Sequence, residues 1–435
     1  MNRKVTIANR VLLGLLIAAA ASSVGAFDLG DIEIHGFVSS TGTKTTDNNV
    51  FTLNSVDGSL DWFEAGINFN IEPVEGLRIG MQLYSRTLGE QGNSNVVIDW
   101  ATGDYRLRDW IGFRIGKNKL TYGLYNTTRD ADMTRPNILL PQGMYSENLR
   151  DLVNAYLGGE IYGSIPLGSN SDLEYQVFYG TQDLDDAFIV QRFMEKGAAA
   201  GANFLPFPLQ EVTYNTDSIK ADMDYIFGGA LRWNTPLDGL LFGVTYQQSE
   251  ATFSSRTVYH GWMEQGPALV PISFATTADT DYDQKNSYAL SGEYRRNRLT
   301  VAAEYWETST MTTNVLGGLP FPTPPMAPIT QDSLSYYGQV AYRLAKWLEL
   351  SGYYSVYYPD KHDKDGDRYA MSGLPASQAW SKDLTISARF DITRYWLFKI
   401  EGHFVDGTAS VEPLDNPQGV TDDYTMVLGR FTFFF

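Results

Sequence analysis

The carboxyl-terminal stretch, residues 423–435, limits the possible folds more than any other part of this chain. Its side chains alternate between the two faces of a strand, with Phe431, Phe433 and Phe435 on one face and Arg430 on the other. Chain ends of soluble proteins are usually frayed and wet, whereas an aromatic end suits a strand whose outer face meets lipid. The stretch therefore predicts the closing strand of a transmembrane β-barrel.

The amino-terminal residues predict export. Three basic residues precede an apolar run at 11–21, and Val24-Gly25-Ala26 is a small-residue cleavage site. The run is too short to span a bilayer as a helix, so we predict a signal peptide over 1–26 and a single domain over 27–435. The mature chain then has 435 − 26 = 409 residues, with 33 − 3 = 30 basic and 51 acidic side chains, a formal charge of −21.

Composition supports a membrane barrel and argues against an enzyme. The chain has 27 Tyr, 23 Phe and 9 Trp, as interfacial aromatic girdles require, and no cysteine. Without cysteine there is no thiolate metal site and no cysteine nucleophile. The four histidines are dispersed and no hydrolase or metalloprotease motif occurs. We therefore expect neither catalysis nor a cofactor.

Apolar and polar residues alternate with period two in about sixteen segments. Short turns and long loops connect these segments in turn, which is typical of outer-membrane barrels with periplasmic turns and external loops. The predicted fold is thus all-β, a transmembrane antiparallel β-barrel of about sixteen strands, in preference to a soluble propeller or sandwich. The predicted strands are 31–41, 60–72, 76–87, 95–107, 110–125, 155–165, 173–181, 225–235, 240–250, 286–295, 299–309, 333–344, 348–358, 382–392, 396–406 and 423–435.

The fifth predicted strand changes phase along its length. Apolar residues occupy odd positions up to Ile115 and even positions from Leu120 onward. One extra residue would reconcile the two halves, so we predict a β-bulge around 116–118. The bulge would turn Lys117 and Lys119 into the lumen; alternatively, these lysines interrupt a weak strand.

The third long loop, 126–154, is the predicted functional centre. It combines many charged residues with an apolar run, Ile138, Leu139 and Leu140. An apolar run in an exposed loop needs a surface to pack on. We therefore predict that this loop folds into the barrel, rests on its inner wall and narrows the pore.

The strings at 116–130 and 135–142, followed by Tyr145, resemble a largely uncharacterised group of proteobacterial porins. The number of strands, the terminal Phe and the charged third loop resemble the Gram-negative general porins, whose third loop narrows the pore. In that family a latching loop between strands 3 and 4 joins a trimer. Here the corresponding loop, 88–95, is short, which weakens the inference of a trimer.

The resemblance implies that acidic residues of the loop face basic residues of the wall. Together with charges assigned from alternation, the predicted constriction comprises Arg129, Asp130, Asp132, Arg135 and Glu147 on the loop and Arg78, Arg86, Arg106, Arg114, Lys117, Lys119 and Arg430 on the wall. Opposed charges across a narrow wet gap create a transverse field that orients dipolar solutes.

A second acidic segment offers a weak calcium candidate. Asp363, Asp365 and Asp367 surround Gly366 in the spacing of a calcium loop, but the bidentate Glu of such loops is missing. A solvated loop without a metal is the alternative.

These features predict an outer-membrane porin that lets small hydrophilic solutes and ions diffuse passively. The expected partners are outer-membrane lipid and lipopolysaccharide, a homotrimer and the diffusing solutes, without nucleic acid. A substrate-specific channel and a barrel-anchored surface receptor or adhesin remain alternatives. The long loop 182–224 is expected to pack either over the mouth or against a neighbouring protomer.

Overall fold

The computed structural model describes residues 32–182, 184, 188–203, 209–265, 268–318 and 326–435; the predicted signal peptide, 1–26, lies outside them. Over these residues the chain forms sixteen strands in one closed antiparallel barrel. The strands are β1 (Glu33–Thr45), β2 (Ser59–Val74), β3 (Leu77–Leu88), β4 (Val96–Arg108), β5 (Ile111–Lys119), β6 (Ala155–Pro166), β7 (Asp172–Thr181), β8 (Leu209–Asn234), β9 (Leu240–Gln265), β10 (Ala268–Arg296), β11 (Leu299–Gly317), β12 (Ile329–Ala345), β13 (Leu348–Tyr358), β14 (Ser381–Asp391), β15 (Trp396–Asp406) and β16 (Asp423–Phe434).

The carboxyl-terminal strand closes the barrel. Strand β16 pairs with β15 on one side and with β1 on the other, where Phe37 lies opposite Phe434 and Thr41 opposite Arg430. The backbone of Phe435 continues this pairing, because its N–H donates to the carbonyl of Gly36 at 3.0 Å. The predicted closed barrel is confirmed.

The two faces of the wall differ as alternation predicts. On β15 the side chains of Ile400 and Phe404 are exposed on the outer face, while Lys399, Glu401 and His403 are buried on the inner face. Tryptophans lie exposed where the strands meet the short turns, as an interfacial girdle requires. They are Trp110, Trp233, Trp347 and Trp396.

The predicted bulge around 116–118 is wrong. Strand β5 pairs in unbroken steps through these residues with β6, and it ends at Lys119. The phase changes because the chain leaves the wall there, so Leu120 and Tyr122 are buried inside the barrel instead of facing lipid. Lys117 accordingly stays opposite Leu157, an exposed residue of the outer face, and its Nζ donates to the carbonyl of Ile98 at 2.7 Å.

Three short or medium helices lie in the connections that the structure describes: α1 (Arg150–Val153), α2 (Phe188–Asn203) and α3 (Asp367–Met371). Single 3₁₀ turns occur at Asn126–Thr128, Asp132–Thr134, Ala376–Ala379 and Pro413–Asp415. None of the helices in the described residues has the length and apolar character needed to cross a membrane.

Candidate functional site

Residues 120–154, hereafter the crossing segment, connect β5 to β6 and contact strands on the far side of the barrel. The backbone N–H groups of Ile138 and Leu139 donate to the carboxylate of Glu401 on β15 at 2.8 and 2.9 Å. Tyr145 donates to Glu304 on β11 at 2.6 Å. Glu401 and Glu304 are both buried on inner faces. Strands β11 and β15 are each six strands away from β5, where the segment begins, in the closed barrel order.

Asp132 fixes the first half of the crossing segment to β15 and β16. Its carboxylate lies 2.7 Å from the Lys399 ammonium and 3.6 Å from the Arg430 guanidinium, and it accepts a hydrogen bond from Thr432 at 2.7 Å. Burial alone would raise the pKa of Asp132, but Lys399 and then Arg430 outweigh it and hold that pKa well below its usual range. Arg430 also reaches Glu64 on β2 at 3.0 Å.

The second half is held by a four-membered ion cluster. Arg150 of α1 lies 2.6 Å from Asp130 and 2.8 Å from Asp99 on β4. Lys119 lies 2.6 Å from Asp99 and also bonds Asp130. The Arg150 guanidinium stacks 4.1 Å above the ring of Tyr84. The two cations face two buried or half-buried carboxylates, so the cluster is electrically balanced.

Glu147 joins this half to β3. It lies 3.6 Å from Arg86 on the wall and 3.2 Å from Arg129 within the segment. Burial would raise the pKa of Glu147, but Arg129 and Arg86 together lower it. Arg135 donates instead to backbone carbonyls, including that of Ile138 at 3.0 Å, and so holds the segment in its own compact shape.

Glu304 is the main attachment on the opposite wall. It accepts hydrogen bonds from Tyr145 and Tyr337, each at 2.6 Å, and from the backbone of Leu124 at 2.9 Å. Around it, Tyr122 and Tyr145 pack with Met144 and Ala289 in one apolar cluster. The segment is therefore held by both charge and apolar contact.

The predicted constriction residues divide into two groups. All five loop residues, together with Arg86, Lys119 and Arg430, belong to the contacts just described. Arg114 pairs instead with Asp104 at 2.9 Å, and Arg78 donates to Asn70 at 2.8 Å. Arg106 is exposed beside a short turn, with its N–H bonded to the carbonyl of Gly76. Arg114 and Arg78 thus bond wall partners near the short-turn end and Arg106 is exposed there, while Lys117 lies opposite Leu157 of the outer face.

The three aspartates of the calcium candidate, Asp363, Asp365 and Asp367, do not form a metal-binding group. Within the part of the chain that the structure describes, no group of three acidic or histidine residues is placed to hold a metal ion. The carboxylate of Asp363 accepts the backbone N–H of Arg368 at 3.1 Å and thereby binds the first turn of α3.

Several residues that hold the crossing segment were not among the predicted site residues. They are Asp99, Arg150, Glu304, Lys399 and Glu401. For Lys399 and Glu401 the sequence does contain a signal, because both are charged at inward positions of an otherwise apolar strand. Nothing in the sequence alone indicates that the crossing segment contacts these two residues.

The barrel is similar to solved outer-membrane proteins. Salmonella typhi OmpF in complex with Daunomycin shares 14% identity over 93% of this chain and 97% of its own, with a TM-score of 0.51. The anion-selective porin from Comamonas acidovorans shares 12% identity over 93% and 99% of the two chains, with a TM-score of 0.49. The outer membrane channel DcaP of Acinetobacter baumannii shares 11% over 94% and 100%, also with 0.49.

No protein-family model matches this chain, and no curated protein sequence matches it. The similarity to OmpF therefore describes the fold: a closed antiparallel barrel of sixteen strands.

Proposed function

We propose that this protein is an outer-membrane channel through which small hydrophilic solutes and ions diffuse passively. The crossing segment narrows its pore. The observation that supports this most directly is the set of buried ion pairs between that segment and the inner wall, with Asp132 against Lys399 and Glu147 against Arg86. The outer face is apolar and exposed while the inner face is polar, as a water-filled barrel in lipid requires.

Charges of both signs hold the narrowed region, and most of them are buried in its ion pairs. Fixed carboxylates and guanidinium groups at close quarters produce a transverse field, which favours ions and dipolar solutes over apolar ones. The expected surroundings are outer-membrane lipid and lipopolysaccharide, with a homotrimer as the assembly. The formal charge of −21 for residues 27–435 favours cations at the mouth, so we expect weak cation selectivity.

Shortening the crossing segment tests this function. Replacing residues 133–146 by a short Gly-Ser linker retains the attachments at Asp132 and Glu147 but removes the bonds of Tyr145 to Glu304 and of Ile138 and Leu139 to Glu401. We expect a clear rise in single-channel conductance in a planar bilayer, because the residues that fill the interior between the two retained attachments are removed. Deleting an equal length of the loop between β13 and β14, residues 364–377, is the control and should leave conductance unchanged.

Two outcomes would contradict the proposal. Unchanged conductance after the 133–146 replacement would mean that the segment does not limit the ion path. Absence of current from unmodified protein, shown to be folded by its heat-modifiable gel mobility, would favour a closed barrel that serves as a surface receptor or adhesin.

A further inference from the structure

A large cavity lies between the crossing segment and helix α2, on the long-loop side of the barrel. Its volume is about 1060 Å³. Leu120, Met144 and Leu152 of the crossing segment form one boundary, and Ile189 and Phe193 of α2 form another. Small-molecule sites typically enclose about 300–1,000 Å³, so this space is at the upper end of the range for a bound solute.

Helix α2 covers this cavity because it is attached to both sides of the barrel mouth. At one side the hydroxyl of Tyr259 on β9 donates to the carbonyl of Ala198 at 2.9 Å. At the other, Lys196 lies 2.7 Å from Glu412 in the loop before β16. Strands β9 and β16 are well separated in the barrel order, so this end of the helix is bonded to groups from both sides of the opening. This part of loop 182–224 therefore lies over the mouth, and its contact with a neighbouring protomer stays a prediction.

The lining combines apolar surface with neutral hydroxyl and carboxamide groups, the latter from Gln247, Gln284 and Asn314 of the strand wall. Leu, Met, Ile and Phe side chains come from the crossing segment and α2, while the strand wall contributes hydroxyl groups from Ser255, Thr257, Thr280 and Thr308. Among the lining residues that the structure describes, the charged ones are paired with each other: Lys196 with Glu412, and His403 with Asp383 at 2.9 Å. The cavity therefore presents almost no free charge to a solute.

We infer that this cavity binds an uncharged, mainly apolar small molecule that carries a hydroxyl or carbonyl group. The inference rests on the proposed channel function, since the molecule would be held on the long-loop side before the narrowed region. An ionised solute would lose hydration there without gaining a counter-ion. A polyol could bond the hydroxyl and carboxamide groups of the strand wall, but its other hydroxyl groups would lie against Leu120, Met144 and Phe193 without a partner. An apolar body covers those side chains, and its one polar group can bond a Ser or Thr of the wall.

Three small molecules of different chemistry distinguish an apolar ligand with one polar group from an ionised ligand and from a polyol. They are 2-naphthol, which is neutral and has one hydroxyl; naphthalene-2-sulfonate, which has the same ring system and a permanent charge; and maltose, which is neutral and polar. We expect 2-naphthol to reduce single-channel current in a saturable manner, and naphthalene-2-sulfonate to do so about tenfold more weakly or less. Maltose should show no saturable effect.

Two neighbouring serines on β9 provide a matched pair of variants. Ser255 lines the cavity, whereas Ser254 points to the opposite face by strand alternation. Ser255→Asp introduces a charge into the neutral wall and should weaken the 2-naphthol effect by about tenfold or more. Ser254→Asp adds the same charge outside and should leave the effect unchanged. Heat-modifiable mobility verifies that both variants are folded.

Equal effects of 2-naphthol on the two variants would overturn the binding site, and so would saturable block by maltose in preference to 2-naphthol. These outcomes differ from failure of the channel itself. If the protein conducts ions and none of the three probes changes its current, the binding site is disproved and the channel function still holds. A folded protein without ionic current disproves the channel function first.

Discussion

Lys399 and Asp132 form a fully buried ion pair, 2.7 Å apart, between the barrel wall and the crossing segment. Removing one member of such a pair leaves the other charge buried without compensation, which costs about 3–5 kcal/mol. We therefore expect Lys399→Met to lower the stability of the folded barrel by about that amount. The measurement is the urea dependence of folding in micelles, followed by heat-modifiable mobility.

Ile400, the next residue on β15, is exposed on the outer face and provides the control. Ile400→Met conserves apolar volume in a lipid-facing position and should change stability by less than about 1.5 kcal/mol. The double variant Lys399→Met with Asp132→Asn removes both charges and should recover much of the loss. If the two single losses simply add, the ions do not stabilise the fold as a pair.

At the scale of elements, helix α2 should regulate access to the interior. Arg192 of α2 bonds Asp415 in the loop before β16 and lies 3.5 Å from Glu90. Arg192 also lies 3.4 Å from Glu195, so in Arg192→Glu four carboxylates meet, and repulsion of this kind near a surface costs on the order of 1 kcal/mol. That is enough to raise the population of detached helix about fivefold. We expect a higher mean conductance and more frequent current transitions in bilayer recordings.

Reversing the second charge tests whether the contact itself is responsible. Arg192→Glu combined with Asp415→Arg restores an opposite pair at the same place and should return the current towards that of the unmodified protein. A folded Arg192→Glu variant with unchanged current would show that α2 lies outside the path of the ions.

The strands were predictable because their signal is local. Alternation assigned β13 to 348–358 and β15 to 396–406, which are also the observed bounds. It failed for β8, predicted at 225–235 but observed from Leu209 to Asn234, and similarly for β9 to β11. The added portions are rich in Ser, Thr and Asp. Beyond the bilayer the outer face has no need of apolar residues, so the alternation that marks a membrane strand disappears there.

The site was predictable only in part because its contacts are not local. The charged loop and its apolar run indicated a segment that packs on the inner wall, and Ile138 and Leu139 are indeed buried there. Their partner Glu401 is more than 260 positions away, as the hydrogen bonds show. Arg114 and Arg106 were assigned to the constriction because the resemblance to porins implies basic residues on the wall. Alternation gives the face of a residue but not its height along the barrel.

At the scale of the whole molecule, the ion pairs that hold the crossing segment balance their charges although residues 27–435 carry a formal −21. Asp99 and Asp130 are matched by Lys119 and Arg150, and Asp132 is matched by Lys399. Excess negative charge must therefore lie mainly outside these buried contacts. Selectivity at the mouth and attachment of the crossing segment consequently depend on different groups and should respond differently to salt and pH.

Acidification should separate these two effects. Burial would raise the pKa of Asp132, but Lys399 and Arg430 hold it well below the ordinary value of about 3.9. A carboxyl group with a depressed folded pKa contributes stability that is fully present above its unfolded pKa and is lost as pH falls through its folded pKa. The crossing segment should therefore remain attached, with constant single-channel conductance, from pH 7 to about pH 5, and its loss should begin only below about pH 4. Asp132→Asn removes this contribution, so the free energy of unfolding should fall less steeply as the pH is lowered below about 4. A large conductance step between pH 7 and 5 would show instead that another titrating group controls the attachment.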